Sequence, residues 1–454
     1  MLRVLLLLVA ATSVCSLRRL LGNIRSHFLN ALATEVQSDE TKKLSKNVPL
    51  NVRIDDIWYD LRGWRSKHPS GEHWIDLYSE RDATEVMHGF HSERARSMFL
   101  KMPKSKNSDE LNNIATPVSQ LTRNFRNLRN QLENDGWWKR DYLHEFRLIA
   151  IWSTLVATGI MTTTSMPALS IMALAIGNTA AGWIGHDYIH GVDKFSFAMR
   201  NFGSLTAGLS ATWWSDKHNK HHAVTNEVGV DEDLATEPLL YVYSPAPEKD
   251  SILRKYQHIY FLLPLSMLFA IWRFDSLKLV LKDLKSGWKR KSQYELLSIA
   301  AHYSLAFKFI PAPIFFISTF VSGLITAIIV TVTHQSETFF DEHNPDFVDA
   351  QFRSTRDVEC SNIFSDWLWG GMQYQLEHHL FPSMPRSKYP ALSKVLKKFA
   401  ADNNLEYRVS KELDIVKMNW ETYRRISSTP SVPDRKYFSG KEVNWGGRGE
   451  IVPV

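Results

Sequence analysis

Histidines are the residues of this sequence whose spacing most clearly suits chemistry. Three groups occur in order along the chain: His186 and His190; His218, His221 and His222; and Gln375, His378 and His379. On an α-helix, residues three or four positions apart share one face, so the side chains of one group can reach one metal or two neighbouring metals. One such pair alone is more often coincidence or core packing than a metal site.

The three groups together favour a shared function. Each stands at the edge of an apolar stretch, where unpaired imidazoles beside hydrocarbon would destabilise the fold. The simpler hypothesis is therefore one metal centre to which all three groups contribute. His334, directly after the apolar stretch 311–333, is a further candidate ligand.

The ligand types narrow the choice of metal. Cys15 and Cys360 are the two cysteines of the sequence, so neither a disulfide framework nor a thiolate metal site is expected. Seven or eight imidazoles exceed what one tetrahedral zinc ion uses. Imidazole suits iron, copper, zinc and nickel alike, so ligand type alone does not select among them.

A second pair of histidines stands near the N-terminal end. His68 begins the sequence His-Pro-Ser-Gly, and His91 follows Phe90, 23 positions later, with 82–84 (Asp-Ala-Thr) between them. This pattern resembles the haem-binding core of cytochrome b5, and the resemblance implies that His68 and His91 are axial ligands of one haem b. The pattern departs at Ser70, where that family usually has glycine, and a positive φ there would strain serine.

The haem segment in turn indicates which metal the other histidines bind. A haem with two histidine ligands has no open coordination position, so it passes electrons but is poorly placed to bind dioxygen. Zinc has no use for electrons, whereas a di-iron centre that activates dioxygen does. Nearby His73 and His88 do not fit the haem spacing, and we interpret them as surface or packing residues.

Apolar stretches between Phe146 and Val332 must position these groups. The chain of 454 residues is 44% apolar and 22% charged, but its charges lie mainly before and after this region. The candidate membrane spans are 146–163, 165–184, 257–272 and 311–333, and 295–310 is either interfacial or a replacement for 257–272. An even number of spans between groups brings all three to one side. The net charge of +6 is scattered, which argues against nucleic-acid binding.

The polar and apolar segments divide the chain into five parts. The first sixteen residues have one arginine, an apolar core and then small residues, which is typical of a targeting signal, with an uncleaved anchor as the alternative. The predicted parts are 1–22, signal or anchor; 48–106, haem domain; 107–140, linker; 141–410, membrane domain; and 411–454, polar tail.

The order of these motifs resembles the front-end fatty-acyl desaturases of the membrane fatty acid desaturase family, over about residues 50–410. Its most specific passages are Trp213-Trp214 leading into the second histidine group and 375–386, where glutamine at position 375 is itself a family feature. The family often has Asn at the position of Thr333 and Asp-Pro-Asp near 231–233, and this chain departs at both.

The resemblance implies a mostly α-helical fold: a four-span transmembrane bundle with a cytosolic histidine-rich metal cap, preceded by a small α+β cytochrome b5-like haem domain. It also implies two iron ions held by the ligands of the three groups and His334. The expected reaction removes two hydrogens from adjacent methylenes of an unsaturated fatty-acyl chain, using O2 and electrons from NADH through cytochrome b5 reductase. The new double bond lies between an existing one and the carboxyl end.

An acyl chain must lie in an apolar tunnel, for which Trp213, Trp214 and Tyr374 are possible lining residues. Ordinary packing or interfacial anchoring explains these aromatics at least as well. The same motifs also occur in sphingolipid long-chain-base desaturases, and hydroxylases share the iron chemistry. A non-catalytic haem or lipid-binding electron-transfer protein is the alternative outside the enzymes. The expected location is the endoplasmic reticulum membrane, with a plastid membrane as the alternative.

Overall fold

The computed structural model describes residues 50–285 and 290–435, and these are mostly helical. The predicted signal or anchor at 1–22 lies outside the described residues, as does the end of the predicted tail beyond residue 435.

The haem segment combines a two-stranded antiparallel sheet with four short helices. Strand β1 (Asn51–Ile54) pairs with β2 (Ile57–Asp60), and Asn51 lies opposite Asp60. Trp58 and Tyr59 on β2 are 2% and 1% exposed and form the centre of this small core. The helices are α1 (His73–Leu77), α2 (Thr84–Phe90), α3 (Glu93–Phe99) and α4 (Ser108–Ile114).

The segment 107–140, expected as a linker, contains α4 and a second, packed helix. Helix α5 (Gln120–Asn134) begins at Ser119, whose side chain accepts a hydrogen bond from the Thr122 amide. Phe125 and Leu132 on this helix are 1% and 3% exposed, and both belong to a core cluster shared with the C-terminal helices. An apolar stripe along one face thus binds this segment to the body of the protein.

Long helices form the central bundle. They are α6 (Tyr142–Met161), α7 (Pro167–His190), α8 (Lys194–Ala207), α9 (Ala211–Ala223), α12 (Leu268–Lys285), α13 (Arg290–Phe309) and α14 (Ala312–Val332). Helix α7 packs against α6, α8 and α14 and so lies at the centre. Gly185 and Gly203 meet where α7 crosses α8: a Cβ built on Gly203 would lie 3.1 Å from the Gly185 Cα. Small residues therefore allow this close helix contact.

The expected span 257–272 is not one regular helix. It is divided into α10 (Gln257–Tyr260), α11 (Leu262–Ser266) and the start of α12. Pro264 has no N–H, so it cannot donate a hydrogen bond to the preceding turn. At the end of α11, the Met267 amide donates to the Pro264 carbonyl at 3.0 Å, three residues back. In the described part of the chain, two helices are long and apolar enough to cross a membrane, namely α7 and α14.

The C-terminal part closes over one end of the bundle. Its elements are α15 (Phe347–Ser354), β3 (Asp357–Glu359), α16 (Ile363–Trp369), α17 (Gln375–Leu380), α18 (Tyr389–Asp402), β4 (Val409–Lys411) and α19 (Glu412–Ile426). Strands β3 and β4 pair in parallel. The polar segment from residue 411 onward is anchored, because Ile415 and Tyr423 on α19 are both fully buried.

Candidate metal centre and haem site

The three histidine groups meet in two adjacent clusters. The first cluster is His186, His190, His218, His222 and His378, and the second cluster is His221, His334 and His379. Within each cluster, one nitrogen of every imidazole lies within 4.8 Å of the corresponding nitrogen of every other. The structure thus brings together all eight histidines that the sequence indicated, and it divides both the second and the third group between the two clusters.

Helix ends supply most of these ligands. His186 and His190 lie in the last turns of α7, and the second histidine group lies in the last turns of α9. The start of α9 is fixed from the neighbouring bundle helix α13, because the buried Glu295 carboxylate accepts hydrogen bonds from Ser210 Oγ and from the Thr212 amide, the latter at 3.0 Å. A carboxylate at a helix N-terminus also stabilises the helix electrostatically.

The first cluster has the spacing of ligands around one ion. His186 Nε2 lies 2.8 Å from His218 Nε2, which lies 3.3 Å from His222 Nε2. Ligand nitrogens about 2.0–2.1 Å from one ion are roughly 3 Å apart, as these are. His378 Nε2 is buried without a hydrogen-bond partner among the described residues. Buried polar atoms normally have a hydrogen-bond partner. A cation bound between these imidazole nitrogens would serve as that partner.

The second cluster has its outward nitrogens held by hydrogen bonds. His221 Nδ1 donates to Asp231 Oδ2 at 2.8 Å, His334 Nδ1 donates to the Ser354 carbonyl at 2.9 Å, and His379 Nδ1 donates to Gln351 Oε1 at 2.9 Å. Each Nε2 is then left unprotonated for a metal, and such partners also fix the ring orientations. The Gln375 amide nitrogen lies 2.7 Å from His334 Nε2, so this glutamine borders the same cluster.

Burial keeps these imidazoles neutral. It lowers the pKa of His218, His222, His378 and His379 well below the ordinary value, and it lowers the pKa of His334 to about 3. His221 differs: burial alone would lower its pKa, but the Asp231 and Asp233 carboxylates raise it. Neutral imidazoles are the form that binds metals, and a carboxylate partner increases the basicity of a histidine ligand.

The two clusters touch. The His222 and His379 rings, one from each cluster, have centroids 4.1 Å apart. A site of this kind accommodates two metal ions close together. Imidazole suits iron, so the residues present fit a binuclear iron centre.

The haem segment brings the His68 and His91 rings close together. Their ring centroids are 6.1 Å apart, which matches the separation of about 6 Å expected for two imidazoles on opposite sides of one iron. His68 Nδ1 donates to the Gly71 carbonyl at 2.9 Å, which leaves Nε2 for the metal. Burial lowers the pKa of both rings, that of His91 to about 4.

The turn after His68 does not strain its serine. The positive φ of this turn, 117°, falls on Gly71 and not on Ser70. The serine that departs from the cytochrome b5 pattern therefore occupies a position open to any residue.

His73 has a contact that the sequence did not indicate. It was interpreted as a surface or packing residue, and it is 3% exposed. Its Nε2 lies 3.1 Å from Asp216 Oδ1 on α9, two positions before the first cluster's His218. His88 Nε2 instead bonds to Asp55 Oδ1 at 2.9 Å within the haem segment. No periodic pattern signals the contact of His73, because its partner lies 143 positions away.

The three aromatic residues considered for a substrate tunnel lie close to the clusters. Trp213 and Trp214 are 1% and 6% exposed in the core around α9. The Trp214 ring centroid is 6.1 Å from that of His186. Tyr374 is partly buried and immediately precedes α17, which carries His378 and His379.

Comparison with known proteins shows the family of this chain. Residues 163–411 match the fatty acid desaturase family, and residues 37–108 match the cytochrome b5-like heme/steroid binding domain. The chain belongs to the fatty acid desaturase family. It is a desaturase-family oxidoreductase with a cytochrome b5-like domain at its N-terminal end, as the sequence predicted.

Desaturases of known regiospecificity resemble this one over most of their length. A Delta(6)-fatty-acid desaturase of Caenorhabditis elegans is 30% identical over 429 residues, 83% of this chain and 96% of the relative. A Delta(8)-fatty-acid desaturase of Euglena gracilis is 31% identical, over 75% of this chain and 87% of the relative. A Delta(5) fatty acid desaturase of C. elegans is 28% identical, over 86% and 98%.

Proposed function

We propose that this desaturase introduces front-end double bonds into long-chain unsaturated fatty-acyl groups, with O2 as oxidant and the fused haem domain as electron donor. The observation that carries the proposal is the pair of touching histidine clusters beside the haem segment. Breaking unactivated C–H bonds requires a metal-bound oxidant, and such a centre needs a supply of electrons. The relatives named for Delta(5), Delta(6) and Delta(8) desaturation support the front-end position.

The cofactors of the proposed reaction are two iron ions and haem b. One iron is held by the five histidines of the first cluster. The other is held by the three of the second cluster. Gln375 contributes its Oε1, which is buried without a hydrogen-bond partner among the described residues. When bound, the iron pair activates dioxygen for removal of two hydrogens from adjacent methylenes. The chain's own part is to bury the ligand imidazoles from water and to orient the rings of the second cluster through hydrogen bonds to their outward nitrogens.

The proposed setting is the endoplasmic reticulum membrane, crossed four times. Helices α6, α7 and α14 and the stretch 257–272 are the proposed spans, so that the metal-bearing ends share the cytosolic side. An NADH–cytochrome b5 reductase is the proposed electron source for the haem. The proposed domains are 48–106 for haem binding and 141–410 for desaturation, with 107–140 between them. The acyl chain is proposed to pass near Trp213, Trp214 and Tyr374.

Expression in a yeast without polyunsaturated fatty acids tests this function. Single unsaturated acids are fed, and products are profiled by gas chromatography–mass spectrometry. We expect a new double bond on the carboxyl side of an existing one, lost in both His218→Ala and His68→Ala. Purified protein that holds haem but no iron would contradict the proposal. Haem and iron without product from any fatty acid would shift it to a sphingolipid substrate.

A further inference from the structure

Two helices of the haem segment face the metal-bearing helix α9. Besides His73, Trp74 contacts Asp216 on α9: its Nε1 donates to Asp216 Oδ1 at 2.9 Å. Tyr78 donates to the Ala223 carbonyl at the other end of α9, at 3.3 Å. The Asp216 carboxylate thus forms hydrogen bonds with two side chains of the haem segment, and it lies two positions before His218 of the first cluster.

Helix α5 holds the haem segment from the other side. Arg126 Nε donates to Glu85 Oε1 at 2.7 Å, and its Nη2 donates to Asp82 Oδ2 at 3.1 Å. Arg129 Nη2 donates to the His88 carbonyl at 2.5 Å. Because Phe125 and Leu132 of the same helix are buried in the core cluster shared with the C-terminal helices, α5 attaches the haem segment to that core through charged hydrogen bonds, which are stronger than neutral ones.

One aromatic ring lies between the two cofactor sites. Phe90 immediately precedes the haem ligand His91, and its ring centroid is 6.3 Å from that of the cluster ligand His222, edge to face. The Trp74 ring supports Phe90 from the side, with centroids 6.4 Å apart. The path from His91 to His222 therefore runs along the backbone to Phe90 and then across one contact between the Phe90 and His222 rings.

We propose that Phe90 is the bridge through which electrons pass from the haem to the iron site of the first cluster, with the Asp216 and Arg126 contacts as its positioning residues. This inference rests on the proposed function. Each transfer oxidises one ferrous haem iron to ferric and reduces one ferric non-haem iron to ferrous, with no bond formed or broken. NADH, through its reductase, reduces the haem again, and two transfers serve each double bond.

Flash photoreduction of the iron-loaded, full-length protein tests the bridge without substrate or dioxygen. A deazaflavin reduces the haem under anaerobic conditions, and haem absorbance then follows its reoxidation by ferric non-haem iron. We expect Phe90→Leu to slow reoxidation, while the haem spectrum and reduction potential stay unchanged. Phe90→Tyr keeps an aromatic ring at the position and should retain the wild-type rate.

Phe99→Leu is the matched control. Phe99 is a buried phenylalanine of the same segment that packs against Tyr59, ring centroids 4.7 Å apart, away from the clusters. Equal reoxidation rates in Phe90→Leu, Phe99→Leu and wild type would overturn the proposal, as would the absence of a reoxidation phase in iron-loaded wild type. Because this test forms no product, its failure is distinguishable from failure of the proposed desaturation in yeast.

Hydrogen exchange tests the positioning contacts. Arg126→Glu places like charges together and should speed amide exchange in residues 84–90 and slow haem reoxidation, and a second change, Glu85→Arg, should restore both. Arg123→Glu is the control, because Arg123 lies one turn earlier and bonds to the Val118 carbonyl in its own segment. Exchange in Arg126→Glu no faster than in Arg123→Glu would show that the haem segment is not held by this contact.

Discussion

At the scale of single residues, the central feature is that the second and third histidine groups are each divided between the two clusters. His218 and His222 are four positions apart and face the first cluster, whereas His221 faces the second. One helix turn therefore serves both proposed metal ions and sets the distance between them. Asp231 and Gln351, which orient His221 and His379, extend that control outside the ligands themselves.

Removing one histidine from either cluster should remove one metal selectively. His190→Ala changes the first cluster alone and His334→Ala the second alone, so each should lower the iron-to-haem ratio from about two to about one. Elemental analysis alongside the haem spectrum measures the ratio. His258→Ala is the control, since His258 lies outside both clusters beside Trp420, and its ratio should match wild type. Equal loss of both irons in each variant would contradict independent sites.

The Asp231 carboxylate should matter almost as much as a ligand. Asp231→Asn keeps the shape but removes the charge that supports His221, and we expect a roughly 10–100-fold loss in iron affinity. Competition with a chelator measures that affinity. Asp233→Asn is the comparison, because Asp233 is 3.7 Å from His221 Nδ1 and also pairs with Lys217. A loss as large in Asp233→Asn would show that total charge, and not the hydrogen bond, is responsible.

The histidines themselves could be identified from sequence, but their outward partners could not. Spacing of three and four residues predicts which imidazoles share a face, and the structure brings those imidazoles together. The run from Asp231 to Asp233 was noticed only as a departure from a family pattern. Which of its carboxylates meets His221 depends on the turn after α9, a tertiary contact that spacing does not encode.

At the scale of helices, the apolar stretches of the sequence predicted where helices lie, but not whether each stretch forms one uninterrupted helix. The stretches near α6, α7 and α14 are helical as expected, whereas Pro264 breaks the stretch 257–272. The packed helix α5 could have been recognised from its sequence. Leu121, Phe125, Leu128 and Leu132 recur at helical spacing, but the many polar residues between them favoured a linker.

Close helix contacts should make one glycine of α14 irreplaceable. A Cβ on Gly323 would lie 2.3 Å from the Ser266 carbonyl oxygen at the end of α11, so Gly323→Ala must push that backbone away. We expect it to lower the free energy of unfolding by about 1–3 kcal/mol, measured by thermal unfolding in detergent.

A glycine of α7 provides the control. A Cβ on Gly177 would meet its nearest neighbours at 3.5 Å, an ordinary contact, so Gly177→Ala should unfold at or above the wild-type temperature because alanine favours helices. The same destabilisation in both variants would mean that the contact with the Ser266 carbonyl does not cause the effect of Gly323→Ala.

At the scale of the whole molecule, the metal centre joins segments distant in sequence. Its proposed ligands lie on α7, α9 and α17 and at His334 after α14, so a bound metal would connect the bundle to the C-terminal part. Helix α19 supports the same junction, since Asn419 and Tyr423 donate to Gln335 Oε1 at 3.0 Å and 2.7 Å, next to His334. The centre is thus a structural as well as a chemical element.

Chelating the iron should therefore destabilise the entire fold. A ligand that binds only the folded chain stabilises it by about 2.7 kcal/mol at one hundred times its dissociation constant, and removal also leaves buried nitrogens facing one another. We expect a lower melting temperature after chelation, restored by ferrous iron. Chelation should lower the melting temperature of His334→Ala by less than that of the wild type, because the variant has fewer metal ligands. Identical melting curves with and without iron would refute this structural role.

The contact of the haem segment with α9 also bears on whether a separate cytochrome b5 could deliver electrons to this enzyme. The surface around Asp216 is already covered by His73 and Trp74 of the same chain, so a freely diffusing cytochrome b5 has no access to it. Tethering replaces an encounter between two molecules by one within a single molecule. Turnover should therefore be indifferent to the abundance of free cytochrome b5, and competition with other membrane oxidases would arise one step earlier, at the proposed reductase.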